Sequence, residues 1–293
     1  MMNEINDRLN DKEDKSFLLK IREEGGLEKE DLIGKGKVTS SDGISSYWIV
    51  GGISQSSDED DSDSVHDYSK DYLTFTTLVD SYFTFTASPL QYSLDSGVTW
   101  VDTVPFYNTE LIPAGSKVLW RGELTPNLYG VGTFSSRELG FTVEGNPMSL
   151  IYGDNFRGKT DLTVIHSSLE DGLYVFRGLF KENLGLISAE NLVLPATLSP
   201  YCYYEMFKTC KALTTAPTLS ATSLVDNCYK DMFLNCNKLN YIKCLATDIS
   251  ATDCTDGWVN GVSPEGTFVK AVSMNDWTTG TSGIPSGWAV EDA

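Results

Sequence analysis

The sequence is poor in basic residues and in histidine. It has 22 lysines and arginines against 41 aspartates and glutamates among 293 residues, which gives a net charge of −19. Nucleic-acid binding and docking to anionic membranes both need a basic surface, so the composition disfavours both. The two histidines, His66 and His166, leave little acid–base chemistry near neutral pH. Neutral or cationic partners remain, such as glycans or the surface of another protein.

Long apolar runs and catalytic motifs are also missing. No stretch approaches the roughly 18 apolar residues of a membrane-spanning helix, and the charged start MMNEINDRLNDKEDKSFLLK has no signal-peptide core. We therefore expect a protein that is made in a cytoplasm and is not inserted into a membrane. There is neither a G-x-S-x-G elbow nor a phosphate-binding glycine loop. Glu144 and Asp154 are candidates for a glycosidase pair, but we favour turn capping for Asp154, so we expect neither an enzyme nor a cofactor.

Residues 1–53 are predicted to be an attachment and oligomerisation segment. Apolar residues spaced three to four apart within residues 3–24 predict a short amphipathic helix or a weak coiled coil, which EEGG ends; a polar tail is the alternative. Residues 34–53 contain two strand-like runs. These runs are too short to bury a core, so we expect them to pair with a neighbouring chain or to fold on a partner.

Residues 54–71, SQSSDEDDSDSVHDYSKD, consist mainly of serine and acidic residues. A segment that lacks apolar residues and repels itself is typical of a disordered linker. Calcium binding is the alternative, but the glycine and the terminal glutamate of an EF-hand loop are missing.

Residues 72–150 are predicted to form an antiparallel β-sandwich-like domain. Apolar and polar side chains alternate in short runs such as YLTFTTL, YFTFTAS and LGFTVEG. Gly, Pro, Ser and Asp separate these runs, which is typical of antiparallel strands joined by tight turns.

One hairpin in this domain carries an Asp-box. SLDSGVTW fits the pattern S-x-D-x-G-x-T-W through Ser93, Asp95, Gly97, Thr99 and Trp100. We expect Asp95 to accept bonds from turn amides, Gly97 to adopt a positive φ and Trp100 to pack underneath. The motif is similar to the Asp-boxes of sialidase-type propellers, where it is a folding device, and this similarity implies a structural role.

Residues 151–293 contain a repeat with a period of 26. CYYEMFKTCKAL at 202–213 returns as CYKDMFLNCNKL at 228–239, and a degenerate copy begins at Cys254. This period lies within the leucine-rich-repeat range of about 20–29 residues, in which stacked units bury a face that none can bury alone. The spacing in C-x3-M-F-x2-C-x2-L is also that of helical turns. The fold class that we predict is therefore mainly β with α/β repeats, an N-terminal helix, and a C-terminal solenoid with a cap. The predicted core positions of the repeats are Cys202, Met206, Phe207, Cys210, Leu213, Cys228, Met232, Phe233, Cys236, Leu239 and Cys254.

All six cysteines lie between residues 202 and 254. Zinc sites usually use closely spaced C-x2–4-C pairs or added histidine, and this segment has neither, so we expect no metal. A disulfide between neighbouring repeats is a second alternative. Free buried thiols that act as small hydrophobes agree best with the missing signal peptide.

Four tyrosines in the repeats are predicted to be exposed and to bind a ligand: Tyr203, Tyr204, Tyr229 and Tyr241. Tyr203 follows the inward Cys202, which suggests that its side chain points outward. Exposed tyrosines provide contact area at a low entropy cost, which suits sugar or protein binding.

Several stretches resemble the BspA-type leucine-rich repeats of gut Bacteroidales. They are SAENLVLPATLSPYCYYEMFKTCKALTTAP, NYIKCLATDISATDC, the ending GIPSGWAVEDA and, before the repeats, GTFSS and FTVEGNPMSLIYGDNF. The resemblance covers about residues 72–293. It implies a module of bacterial surface proteins or of phage fibres, with host proteins or glycans as ligands. Residues 1–53 resemble the charged heads of phage fibre proteins.

These observations lead to the hypothesis of a non-enzymatic phage virion protein, a fibre on the capsid head or the tail. Residues 1–53 would attach it to other virion proteins, and the solenoid would present a tip that binds host-surface or gut glycans or proteins. Fibres imply a homo-oligomer by analogy, with a trimer as the usual form. The alternatives are a bacterial cell-surface adhesin, which needs export, and a glycan-active enzyme that uses the Asp-box domain.

Overall fold

The computed structural model describes the side chains of residues 66–87, 90–136, 140–165 and 173–293, and the backbone of two strands nearer the N-terminus. The helix predicted within residues 3–24 and the linker residues 54–65 lie outside the described residues. Residues 66–71, the end of the predicted linker, are described. There, the backbone N–H of Asn146 donates to the Asp71 carbonyl at 3.0 Å, which ties these residues to the domain that follows.

The two strands near the N-terminus are β1 (Gly34–Thr39) and β2 (Ser45–Val50). They pair with each other in an antiparallel hairpin. Both lie in a unit of residues 1–64, and residues 65–293 form a second compact unit.

Residues 65–293 are mainly β, as predicted. The strands of this unit are β3 (Leu73–Thr77), β4 (Thr84–Phe85), β5 (Leu90–Ser93), β6 (Val101–Asp102), β7 (Lys117–Gly122), β8 (Phe134–Ser135), β9 (Phe141–Gly145), β10 (Leu186–Leu192), β11 (Tyr241–Cys244), β12 (Thr267–Lys270) and β13 (Ala289–Asp292). The one α-helix among the described residues is the short α1 (Ser149–Tyr152), and 3-10 turns occupy Tyr68–Lys70 and Gly153–Asn155. No helix of the described part has the length and apolarity to cross a bilayer.

A six-stranded mixed sheet runs from residues 72–150, here named the β domain, into the repeats. Its order is β10-β9-β3-β7-β5-β6, with β10 parallel to β9 and the other pairs antiparallel. The sequence predicted an antiparallel domain. The sheet is mixed because β10, which belongs to the first repeat, adds to β9 in parallel. The later repeat strands β11, β12 and β13 also pair in parallel with one another.

One hydrophobic core extends through the β domain and the repeats. Alternate side chains of β9 point into it, as the period of two in a strand requires. The Phe134 ring lies 4.9 Å from Trp120 within the β domain and 6.0 Å from Phe180 in the first repeat, measured between ring centroids. The two domains predicted from the sequence therefore share their core.

Equivalent side chains of successive repeats stack on one another. Phe180, Phe207 and Phe233 form one row, with ring centroids 5.5 and 5.6 Å apart and nearly parallel planes. A second row, with centroids 6.0 to 6.3 Å apart, consists of Phe176, Tyr203 and Tyr229 and ends at Trp258, which occupies the position of Met232 in the repeat. All eleven residues proposed as repeat core are buried.

The segments that carry these rows are chains of turns. Between residues 201 and 210, every second backbone N–H donates three residues back, and the others donate to the next repeat, as Tyr203 does to the Cys228 carbonyl at 3.1 Å. Tyr201, Glu205 and Thr209, four residues apart, have positive φ angles. A left-handed residue at this interval prevents an α-helix, so the helical part of the predicted α/β repeats is wrong.

Candidate functional site

The prediction of four exposed tyrosines is wrong for two of them. Tyr203 is 0% exposed and Tyr229 is 1% exposed, and both belong to the second aromatic row. Neighbouring residues do not alternate in a chain of turns, so Tyr203 points inward together with Cys202. Burial raises the pKa of both phenols well above the usual value. Neither side chain is accessible to a ligand.

The other two tyrosines, Tyr204 and Tyr241, are half-buried. The Arg177 guanidinium lies over the Tyr204 ring, 4.9 Å from its centroid. Beside it, the buried Glu205 carboxylate contacts Lys208 at 2.6 Å and Lys181 at 3.0 Å. Burial by itself would raise the pKa of Glu205, but hydrogen bonds from the two lysines outweigh it and lower the pKa. This face of the repeats is occupied by ion pairs that join one repeat to the next.

The cysteines are structural elements of the repeats. All six are free and buried. The Sγ atoms of Cys210 and Cys236 each lie 2.9 Å from a carbonyl oxygen of the preceding repeat. Asn183 takes the equivalent place in the first repeat and donates to the Phe134 carbonyl of the β domain. Burial raises the pKa of Cys236 to about 12, so its thiol stays protonated and remains a hydrogen-bond donor. No group of metal-ligating side chains occurs in the described part of the chain.

The Asp-box residues form a closed turn between β5 and β6. Asp95 accepts the backbone N–H of Thr99 at 2.8 Å and its hydroxyl at 2.7 Å, and these bonds lower the pKa of Asp95 to about 2. The Ser93 hydroxyl accepts the N–H of Gly97, whose φ is 85°. The Trp100 indole donates to the Gly97 carbonyl at 3.0 Å. The polar groups of the motif are thus used within the turn.

A cleft of about 310 Å³ lies beside the Asp-box and is named the Arg121 cleft. Its lining consists of Gln91, Asp102, Arg121, Gly122, Glu123, Gly153 and Asp154. Arg121 contacts both carboxylate oxygens of Asp154, at 2.6 and 2.8 Å, and donates to Gln91 at 2.9 Å. The same guanidinium covers the face of Trp100 at 4.0 Å. The lining groups are therefore largely paired with one another.

The two acids named as a glycosidase pair are each held by a cation. Glu144 contacts Lys117 at 2.7 Å. Asp154 accepts a bond from the Tyr72 hydroxyl at 2.8 Å, and Tyr72 and Arg121 together lower its pKa. The lowered pKa of Asp154 favours the ionised carboxylate, whereas a general acid needs a raised pKa.

A second concavity of about 460 Å³ lies on the outer surface of the β domain and is named the Tyr107 groove. Its lining consists of Tyr82, Thr84, Phe106, Tyr107, Asn108, Ser135 and Ser136. Phe106 and Tyr107 are 72% and 71% exposed. Two adjacent aromatic side chains with this exposure are unusual, since a protein gains stability when it buries them.

The turn that presents these aromatic side chains is strained. The Tyr107 N–H donates to the Val104 carbonyl at 3.1 Å, Pro105 follows Val104, and Phe106 has a φ of 64°. This arrangement is typical of a type II turn, which favours glycine at the position of Phe106. A non-glycine residue there costs roughly 1–2 kcal/mol. The bond from the Phe106 N–H to the Phe85 carbonyl, at 2.9 Å, holds the conformation.

Phe106 and Tyr107 are not among the residues that the sequence predicted to bind a ligand. The signal was present as an aromatic pair between proline and asparagine in VPFYN, because these two residues mark turns and turns lie at the surface. No family model, curated protein or solved structure matches this chain. The function of the Tyr107 groove is therefore inferred from the residues that line it.

Proposed function

We propose that this chain is a non-enzymatic attachment protein, a virion fibre of a phage that infects gut Bacteroidales. In this proposal, residues 1–53 bind other virion proteins and assemble the fibre as a trimer. Residues 151–293 are a leucine-rich-repeat solenoid of the BspA type, an assignment that the stacked aromatic rows support. The surface that binds the host lies on the β domain, and the solenoid acts as its support.

The distribution of exposed apolar side chains carries this proposal. Of the sixteen large hydrophobic side chains exposed among the described residues, twelve lie between Leu78 and Tyr129. Among these twelve, Tyr82, Phe106 and Tyr107 line one groove, and clustered exposed apolar side chains are typical of interaction sites. In the repeats, several outer charges form ion pairs, such as Lys230 with Asp253 at 3.0 Å. A ligand therefore finds unsatisfied surface on the β domain.

The chemistry of the concave sites supports binding rather than catalysis. The Arg121 cleft has its polar groups largely paired internally, and none of the described residues that line the Tyr107 groove is charged. A weak site of this kind gains strength when several copies act together, which an oligomeric fibre provides.

Cell binding and solution mass together test the proposal. We expect the labelled full chain to bind gut Bacteroidales cells saturably and unrelated bacteria not at all. In light scattering, we expect the full chain to be a trimer and residues 65–293 to be a monomer. Absence of cell binding would contradict the attachment function. Two monomers would contradict the assembly role of residues 1–53 and favour a surface adhesin.

A further inference from the structure

The floor of the Tyr107 groove is the outer face of three antiparallel segments. Thr84 in the central segment lies opposite Ser135 on one side and Asn108 on the other. Because side chains alternate along an extended segment, Tyr82 and Thr84 point outward while Phe83 and Phe85 enter the core. The Thr84 hydroxyl donates to the Asn108 side-chain oxygen at 2.7 Å, which fixes this amide and leaves its nitrogen as a donor. Hydroxyl and amide groups thus cover a rigid floor.

The central segment of the groove does not offer an edge for a peptide strand. On one side, Phe106 and Thr109 donate to the carbonyls of Phe85 and Phe83 at 2.9 and 2.8 Å. On the other side, the Thr86 N–H donates to the Thr133 carbonyl at 3.2 Å. A peptide that binds by strand addition needs free backbone groups, and both edges of the central segment are already paired.

The charge of the chain restricts the ligand further. None of the seven lining residues is charged, and the chain as a whole carries a net charge of −19. The field of an acidic protein repels anions, and the described lining residues supply no cation to offset this repulsion. The site therefore favours a neutral ligand over an acidic one.

From these features we infer that the Tyr107 groove binds a neutral oligosaccharide. This inference rests on the proposed attachment function and names the ligand class of its surface. A pyranose ring has an apolar C–H face that stacks on an aromatic ring and hydroxyl groups that bond to amides and hydroxyls. Phe106 and Tyr107 provide the rings, and Asn108, Thr84 and Ser135 provide the polar partners. The volume of about 460 Å³ lies within the range of about 300–1,000 Å³ found for small-ligand sites.

The strained turn makes it possible to separate binding from folding. Phe106→Gly removes the ring at a position whose positive φ glycine adopts freely, so the variant should fold with an unchanged or higher Tm. Tyr107→Ser removes the second ring. The matched control is Tyr129→Ser, which removes a side chain that is 73% exposed on the same domain but does not line the groove.

The experiment uses the full chain, biotinylated and tetramerised on streptavidin, on an array of neutral and acidic oligosaccharides. We expect wild type to bind neutral oligosaccharides only. Phe106→Gly and Tyr107→Ser should each lose at least about tenfold in signal, as expected for the loss of one stacking contact of about 1.4 kcal/mol. Tyr129→Ser should bind as wild type does, and Phe106→Tyr should retain binding. Binding to no oligosaccharide, binding to acidic ones only, or unchanged binding by the two groove variants would each overturn the inference.

Treated cells distinguish this inference from the proposed function. Periodate oxidises the vicinal diols of cell-surface glycans, whereas proteinase K removes surface proteins. Loss of cell binding after periodate, with retention after proteinase K, is the expected result. The reverse result would leave attachment in place and refute a saccharide ligand. Absence of binding to untreated cells would contradict the attachment function. The array would then test by itself whether the Tyr107 groove binds a neutral oligosaccharide.

Discussion

Replacing Phe207 by alanine is expected to destabilise the β domain and the repeats together. Phe207 is fully buried between Phe180 and Phe233, at centroid distances of 5.5 and 5.6 Å. Truncation of a buried phenylalanine costs about 3–5 kcal/mol of unfolding free energy. We expect about 4 kcal/mol here, because hydrogen bonds to the next repeat hold the backbone and prevent the cavity from collapsing.

Hydrogen exchange resolved by segment measures this effect in both parts of the chain. Since one core joins them, β9 in the β domain and β12 in the repeats should exchange by the same global opening. A loss of about 4 kcal/mol corresponds to roughly 700-fold faster exchange in both strands. Tyr129→Ala, which truncates an exposed aromatic side chain, should leave both rates unchanged.

Two results would refute this reasoning. If β12 exchanges faster in the variant while β9 keeps the wild-type rate, the two parts unfold independently despite their shared core. If both strands lose less than about 1 kcal/mol, the aromatic row lacks the tight packing that its spacing indicates.

Three further substitutions test single features. Glu205→Gln should cost about 2 kcal/mol in urea unfolding, because Lys208 and Lys181 lose a buried anion but remain partly solvated; a cost near zero would contradict the role of this ion pair. Asp95 has a pKa of about 2 in the folded chain, below its unfolded value of about 4, so its contribution is present above about pH 4 and is lost as the pH falls toward 2. Asp95→Asn should therefore flatten the fall in Tm over this range in calorimetry, and an unchanged slope would refute the assignment. Thr209→Asn should raise stability by about 0.5–1 kcal/mol, because a β-branched residue is strained at a φ of 64°; a lower Tm would show that the threonine side chain is needed.

The strands of the β domain could be predicted because each depends on a local pattern. Alternation in LGFTVEG places Phe141 and Val143 inward whatever the rest of the chain does. The turns of the repeats could not be predicted in this way. Apolar residues spaced three to four apart fit an α-helix and a chain of four-residue turns equally well. Only the left-handed residues, such as Asn227 and Asn235, distinguish the two, and asparagine is tolerated in both.

The candidate site depends on contacts that are distant in sequence. Thr84, Asn108 and Ser135 meet on one face only after three segments pair, and no local pattern specifies that pairing. The error at Tyr203 has a related cause. Assigning it outward assumed the alternation of a strand, whereas two consecutive residues of a turn point into the core. The composition and the period of the repeats thus predicted which residues are buried. They did not predict which side chains remain exposed for binding.

Under the proposed function, the packing of one repeat on the next explains why the groups that bind the ligand lie outside the repeats. Each repeat packs on its neighbour through stacked rings, thiol-to-carbonyl hydrogen bonds and ion pairs. In the described repeats, Glu205, Lys208 and Asp231 form such ion pairs. A side chain that closes one repeat onto the next is unavailable to a ligand. The groove uses none of these groups, and it joins the first repeat through the core beneath its floor, where Phe134 packs against Phe180. Under the proposed function, the ion pairs between repeats can therefore change without changing the groups that meet the ligand.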